Sequence, residues 1–258
     1  MTGSLEMAES SQKHLVSVII PARDVARSIG SLISKSNESL SAHNHEIIIV
    51  DDGSVDRTGE TARMSNAIVL SQKRLGKGSA MKNGVQHASG DIIVFIDGDG
   101  AHDPKDIPRL ITPLLEGKAD FVIGSRALPG MKPTSAPLIR KLCNNLASFI
   151  ISAIISYLLP LASFFKYSMK WTRITDCTSG FRAAKKQSWQ KLNLVSQGFE
   201  IEAEMIYEAA RHKFIIAEVP ISCNWSTNGS HLFILSDGLK TAKLLAGKLA
   251  SDMKGRIT

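Results

Sequence analysis

The sequence predicts an α/β fold: a mostly parallel sheet with flanking helices. Three observations point there. Short β-branched apolar runs alternate with helix-compatible spans, and each run stops in a cluster of polar residues. The composition is that of a globular chain, 43% hydrophobic and 21% charged over 258 residues.

The elements follow in order. Residues 16–20 (VSVII) form a run that stops at Pro21, the pattern of a buried strand entering a loop. Residues 46–50 (EIIIV) repeat it and end in Asp51-Asp52-Gly53-Ser54. Residues 68–70 give a weaker third strand. Residues 91–96 (DIIVFI) give a strong fourth, ending in Asp97-Gly98-Asp99, and 121–123 a fifth, ending in Gly124-Ser125-Arg126. Helical spans are expected at about 25–40, 57–65, 78–88 and 105–116. Open α/β sheets bind ligands beyond the carboxyl ends of their strands, where these polar clusters fall.

After Arg126 the pattern changes. Residues 127–137 are a Pro/Gly-rich loop, and 142–165 carry no charge. The stretch 175–183 reads TDCTSGFRA. A helix is expected at about 199–212, a strand at 214–219 and a basic helix at about 236–250. The chain therefore divides into a frayed tail (1–14), one domain (15–225) and a C-terminal basic helical segment (226–258).

Net charge is +7, but residues 1–125 sum to −3 and residues 126–258 to +10. A basic rear half suits a partner bearing phosphates or an anionic lipid surface. Nucleic acid is not expected, because aromatics are only 6% and no recognition motif is present. Cys143, Cys177 and Cys223 are too scattered for a disulfide framework and have no zinc-spaced partners, so a reducing, cytosolic setting is expected. The polar N-terminus lacks the apolar core of a signal peptide.

Asp97 and Asp99 are the centre of the chemistry. Two carboxylates one residue apart at a strand end can face one hard cation, Mg²⁺ or Mn²⁺, which takes oxygen ligands and commonly shares them with substrate phosphates. An Asp-Gly turn on the surface has the same wording. In Asp51-Asp52-Gly53-Ser54-Val55-Asp56 a carboxylate can accept from a nucleobase N–H, while Asp56 suits a helix N-cap. Lys77, in Leu75-Gly76-Lys77-Gly78-Ser79-Ala80, lacks P-loop spacing. A basic loop beside a diphosphate and a plain loop both fit it. Glu200, Glu202 and Glu204 read as the solvated start of a helix.

Six blocks now stand in order: VSVIIPA, EIIIVDDGSVDRT, GKGSAMKNG, ASGDIIVFIDGDGAHDP, VIGSR and DCTSGFRA. Together they are similar to the family 2 glycosyltransferases of GT-A, Rossmann-like fold, and in particular to dolichyl- or polyprenyl-phosphate mannosyl- and glucosyltransferases. The resemblance covers roughly residues 15–225. It implies a nucleotide-sugar site at Pro21, Ala22, Asp52, Lys77, Asp97 and Gly98, with Asp97 and Asp99 on Mg²⁺ or Mn²⁺. It implies catalytic roles for Asp99, Asp176 and Arg126, and an acceptor phosphate held by Arg126, Arg140 and Arg182. Departures are clear. Related sequences often read P-x-Y-N-E where this one has Pro21-Ala22-Arg23-Asp24-Val25. The fifth position of D-x-D-x-Q is Ala101, and His231 stands where a lysine is common. The D-G-D-G-A wording and the G-K-G loop lean toward a UDP-sugar donor over a GDP-sugar.

The uncharged stretch admits three readings. Twenty apolar residues would span roughly 30 Å, a bilayer core, but a span would separate Asp97 from Asp176, and Pro160 disfavours it. A core helix is the second. The preferred reading is a pair of interfacial helices within 138–173, flanked by Arg140, Lys141, Lys166, Lys170 and Arg173. The expected activity is metal-dependent, inverting transfer of glucose or mannose to a polyprenyl phosphate at the cytoplasmic face of a membrane, by a peripheral protein. A soluble or saccharide acceptor, or a non-catalytic nucleotide-sugar-binding protein, is the alternative.

Overall fold

Seven strands form one sheet in the order β3-β2-β1-β4-β6-β5-β7, in a computed structural model that describes residues 14–129, 138–162, 173–224 and 234–254. The tail, the loop 130–137, Lys166, Lys170 and His231 lie outside the described residues. The strands are β1 (Leu15–Ala22), β2 (Asn44–Asp51), β3 (Ile68–Ser71), β4 (Ile92–Phe95), β5 (Phe121–Ser125), β6 (Arg182–Lys185) and β7 (Ile216–Pro220). Five of the seven match the five strands expected in the first half of the chain, and β7 matches the run at 214–219. Pairing is parallel except at β6, which runs antiparallel to both β4 and β5.

The helices are α1 (Ala26–Ser39), α2 (Thr58–Met64), α3 (Lys77–His87), α4 (Ile107–Leu115), α5 (Leu138–Ala153), α6 (Leu159–Ala162), α7 (Lys186–Trp189), α8 (Ile201–Arg211) and α9 (Ile234–Lys254). Two helix starts are tied by one carboxylate. Asp56 Oδ2 accepts from Ala26 N at the head of α1, and Oδ1 from Thr58 N at the head of α2. The N-cap position itself is Arg57, one residue later than expected, and Asp56 serves the helix start from just outside it.

Strand alternation splits the core into two layers. Val16, Val18 and Ile20 of β1 face one way, onto Ile29 and Ile33 of α1 and Leu110 and Ile111 of α4. Ile19 faces the other way with Ile93 and Phe95, onto Met81 and Val85 of α3 and Ile201 and Met205 of α8. Each such buried side chain contributes about 1.5–3 kcal/mol. The two layers clamp the sheet so that the carboxyl ends of β1, β2 and β4 open on one rim.

The uncharged stretch differs from the expected pair of helices. From 138 to 162 it is one helical rod, in which a π-helical turn over Ile154–Leu158 joins α5 to α6. Leu159 N–H bonds to Ile154 O, one residue beyond the α pattern. The wider turn lies just where Pro160 would crowd a regular helix. One line of the rod, Ile151, Ile155 and Leu159, is buried against Ile123, Ile206, Tyr207 and Leu245. Its serines also work inward. Ser152 Oγ accepts Ile174 N–H at 2.9 Å, and Ser148 Oγ accepts Cys177 N–H at 3.0 Å, so the rod holds the loop that carries Asp176. The opposite line, Leu142, Leu146, Phe149, Ile150 and Tyr157, is exposed. Lys141–Leu158 is long and apolar enough to cross a membrane by length and composition, with 28% of it buried inside the protein.

Candidate active site

Asp97 lies two residues past the end of β4 and points its carboxylate at Lys77, the first residue of α3. Lys77 Nζ lies 2.5 Å from Asp97 Oδ1 and 2.5 Å from Glu202 Oε1, with the Phe199 ring centroid 5.2 Å away. Burial alone would lower the Lys77 pKa. The two carboxylates outweigh it and hold the ammonium charged. Glu202 was expected in solvent; it is buried, and burial pushes its carboxyl up despite Lys77. Its neighbours Ile201, Ala203, Met205 and Ile206 leave α8 no polar side there, which is the signal that a buried acid was present.

The G-K-G wording has a steric cause. A Cβ at Gly76 would meet Gln197 O at 2.5 Å, and one at Gly78 would meet Ser196 O at 2.7 Å. Gly76 also has φ +98, a conformation open to glycine. Backbone thus packs on backbone, and Ser79 N–H donates to Gln197 O at 3.2 Å. Lys77 is the start of a packed helix rather than part of a loop.

The residues expected at the nucleoside converge on the same rim. Pro21 pairs with Val50 and Ala22 with Asp51 across β1 and β2. Gly98 lies against Ala22, where an added Cβ would come within 3.6 Å of its Cα. Asp52, however, turns inward: its carboxylate accepts from Gln72 Nε2 (2.8 Å), Leu75 N (2.7 Å) and Gly76 N (2.9 Å). It shapes the chain leading into Lys77.

Arg126 and Asp176 form the second half of the site. Arg126 Nε donates to Asp176 Oδ2 and its Nη2 to Asp176 Oδ1, both at 2.7 Å, and the backbone N–H adds 2.9 Å. This is a two-pronged charge-assisted pair. Asp176 is fully buried. Burial would raise its carboxyl, but Arg126 holds it below the usual range. Asp176 therefore acts through Arg126. Glu218, which the sequence reading passed over, buttresses the loop by accepting Thr175 N–H and Asp176 N–H. Thr178 Oγ1 accepts from Arg126 Nη2 at 2.9 Å.

Arg182 has a setting different from the expected acceptor contact. It is fully buried, and its guanidinium donates to the carbonyls of Ser179 (2.7 Å), Glu202 (2.5 Å) and Cys177 (2.6 Å). All of these partners are backbone, so Arg182 staples the TDCTSG loop to α8. Arg140 sits in the first turns of α5, and its side chain lies outside the described residues. His102 completes the surroundings. Burial, opposed by Asp97 and reinforced by Arg126 and Lys77, pushes its imidazole down to about 4, and among the described residues neither ring nitrogen has a hydrogen-bond partner. The three cysteines are free thiols, and burial pushes Cys177 and Cys223 up to about 11.

The donors suit a hard divalent cation. Asp97 and Asp99 offer carboxylate oxygens, and burial plus the Asp97 charge push the Asp99 carboxyl above its ordinary range, a repulsion that a cation between them relieves. Among the described residues no cluster of three or more His, Cys, Asp and Glu encloses an ion. Two carboxylates leave coordination positions for phosphate oxygens and water, the usual habit of Mg²⁺.

A family model for glycosyl transferase family 2 matches residues 17–192, which contain the rim of β1, β2 and β4, Asp97, Asp99, Arg126 and Asp176. The chain belongs to glycosyl transferase family 2. Within that family it is 34% identical over 212 residues to a dolichol-phosphate mannosyltransferase of Pyrococcus furiosus, covering 80% of this chain and 56% of that one. It is 31% identical to an uncharacterized protein of Methanocaldococcus jannaschii, covering 81% of each. The chain thus spans little more than half the length of the Pyrococcus relative. The crystal structure of Mycobacterium tuberculosis glucosyl-3-phosphoglycerate synthase with Mn²⁺ and UDP-glucose superposes with TM-score 0.70 at 25% identity, over 95% of this chain and 82% of that one. The fold is that of the GT-A glycosyltransferases.

Proposed function

We propose that this family 2 member transfers a hexose from a nucleotide sugar, a UDP-hexose in preference to a GDP-hexose, to a polyprenyl phosphate with inversion at the anomeric carbon. The observation that carries the reading is one rim holding an acidic pair, Asp97 and Asp99, within electrostatic reach of two half-buried cations, Lys77 and Arg126. Asp97 and Asp99 would hold Mg²⁺ or Mn²⁺, which when bound neutralises charge on the donor diphosphate.

The chain's own residues do the rest. Pro21, Ala22 and Gly98 floor the nucleoside end of the rim. Lys77 and Arg126 supply positive charge where the leaving diphosphate gathers its negative charge, and they are preoriented by Glu202 and Asp176. An acceptor phosphate is already anionic at neutral pH. One of its oxygens forms the new bond to the anomeric carbon as the bond to the diphosphate breaks, so no strong general base is needed. Arg126 and Arg140 are the acceptor-side cations in this scheme.

Three things support a lipid-linked acceptor: the name of the Pyrococcus relative, the basic rear half of the chain, and the exposed apolar line on α5. We place the protein peripherally on the cytoplasmic face of a membrane. The test incubates purified protein and Mn²⁺ with radiolabelled UDP- and GDP-hexoses. A polyprenyl phosphate competes with small phosphorylated and saccharide acceptors in the same tube. Label in the organic phase is expected; label only on a water-soluble acceptor would overturn the lipid assignment.

A further inference from the structure

α9 reaches the donor rim through a chain of buried polar contacts. Lys248, near the end of α9, is 12% exposed, and its ammonium has three partners for its three donors. These are Asn193 O at 2.6 Å, Glu208 Oε1 at 2.7 Å and Glu204 Oε1 at 3.0 Å. Both glutamates are almost wholly buried, on the face of α8 opposite solvent. Glu204 in turn accepts Val195 N–H and Ser196 N–H, each at 2.9 Å, and Glu208 accepts Asn193 N–H at 3.3 Å. Segment 193–198 is thereby fixed at several backbone atoms. Its other side is the surface on which Gly76 and Gly78 pack without room for a Cβ, and Gln197 O takes the Ser79 N–H.

We infer that Lys248 is a positioning residue for the donor site, holding segment 193–198 so that Lys77 is delivered to Asp97. Asp252 pins the same helix independently, accepting from Tyr207 Oη at 2.7 Å and Arg211 Nε at 2.9 Å, so loss of Lys248 leaves α9 docked. Glu208 then keeps Arg211 at 3.6 Å and His212 at 3.9 Å, but Glu204 loses its Lys248 partner beside the Glu208 charge, and the segment Glu204 grips loosens. The inference rests on the proposed donor role of Lys77; the coupling itself does not.

The full chain is compared with Lys248→Met, Lys248→Arg and Glu204→Gln in two measurements. Amide hydrogen exchange should speed up at least tenfold at Val195, Ser196 and Ser79 in Lys248→Met, while Ile93 and Val94 of β4 stay protected. With UDP-glucose and Mn²⁺ the donor kcat/KM should fall about tenfold, with kcat falling as Lys77 leaves Asp97, and Lys248→Arg should restore it. Unchanged exchange at Ser79, or an unchanged kcat/KM in Lys248→Met, overturns the inference. Should Lys248→Met also loosen β4, Glu204→Gln decides by the same criteria. A wild-type protein that turns over no nucleotide sugar sinks the proposed function, yet the exchange result still accepts or rejects the coupling.

Discussion

Arg126 is useful because Asp176 aims it. Two parallel N–H···O contacts fix the guanidinium plane, and the attraction between the two charges outweighs the burial that would otherwise neutralise them. Removing the buried carboxylate in Asp176→Ala takes from Arg126 its ion-pair partner. A loss of about 3–5 kcal/mol in urea unfolding is expected. Gly180 gives a second test. A methyl there would press on the Asp97 carboxylate and the Lys77 ammonium. Gly180→Ala should cost about 1–3 kcal/mol of stability, and donor turnover should drop more than tenfold; normal turnover would show that Asp97 and Lys77 are not held together in the working enzyme. His102 supplies the pH dependence. Its folded pKa of about 4 lies below the ordinary 6.5, so the neutral ring stabilises the fold fully above pH 6.5. That contribution is lost progressively as pH falls from 6.5 toward 4, by up to an order of 3 kcal/mol. His102→Phe, which keeps a ring beside Phe181, should flatten this part of the stability profile measured by urea unfolding.

At the scale of elements, the rod of α5 shows how one helix serves two surfaces. Its buried line and inward serines fix the Asp176 loop, while Leu142, Leu146 and Phe149 remain uncovered. Leu146→Asp with Phe149→Asp should release the protein from anionic vesicles in flotation without lowering its thermal midpoint. Retention on vesicles would contradict the peripheral placement. The strands of the first half were legible because each is a β-branched run ending in polar residues. β6 was not, because Arg182-Ala183-Ala184-Lys185 has no strand-like composition and is extended only through its pairing with β4 and β5. The site was legible in its strand-end carboxylates, Asp97 and Asp99. It was hidden where a role depends on which way a side chain turns: Asp52 inward to Gly76, Arg182 onto three carbonyls, Glu202 onto Lys77. No spacing rule carries that information.

At the scale of the molecule, the charge asymmetry of the sequence has a spatial counterpart. The acidic front half contributes Asp97 and Asp99, and the basic rear half contributes Arg126, the first residue after β5, together with the C-terminal helix. The two halves meet along β4, β6 and β5, where the antiparallel strand begins at the rim beside Phe95 and carries the chain away from it. This rim is expected to bind a nucleoside diphosphate through a cation held by Asp97 and Asp99. Calorimetric titration of UDP into the wild-type chain and into Asp99→Ala, each with and without Mn²⁺, tests it most directly. In the wild type, Mn²⁺ should tighten UDP binding by at least tenfold, and in Asp99→Ala that enhancement should vanish. Equal affinity with and without Mn²⁺ in the wild type, or an undiminished enhancement in Asp99→Ala, would contradict it.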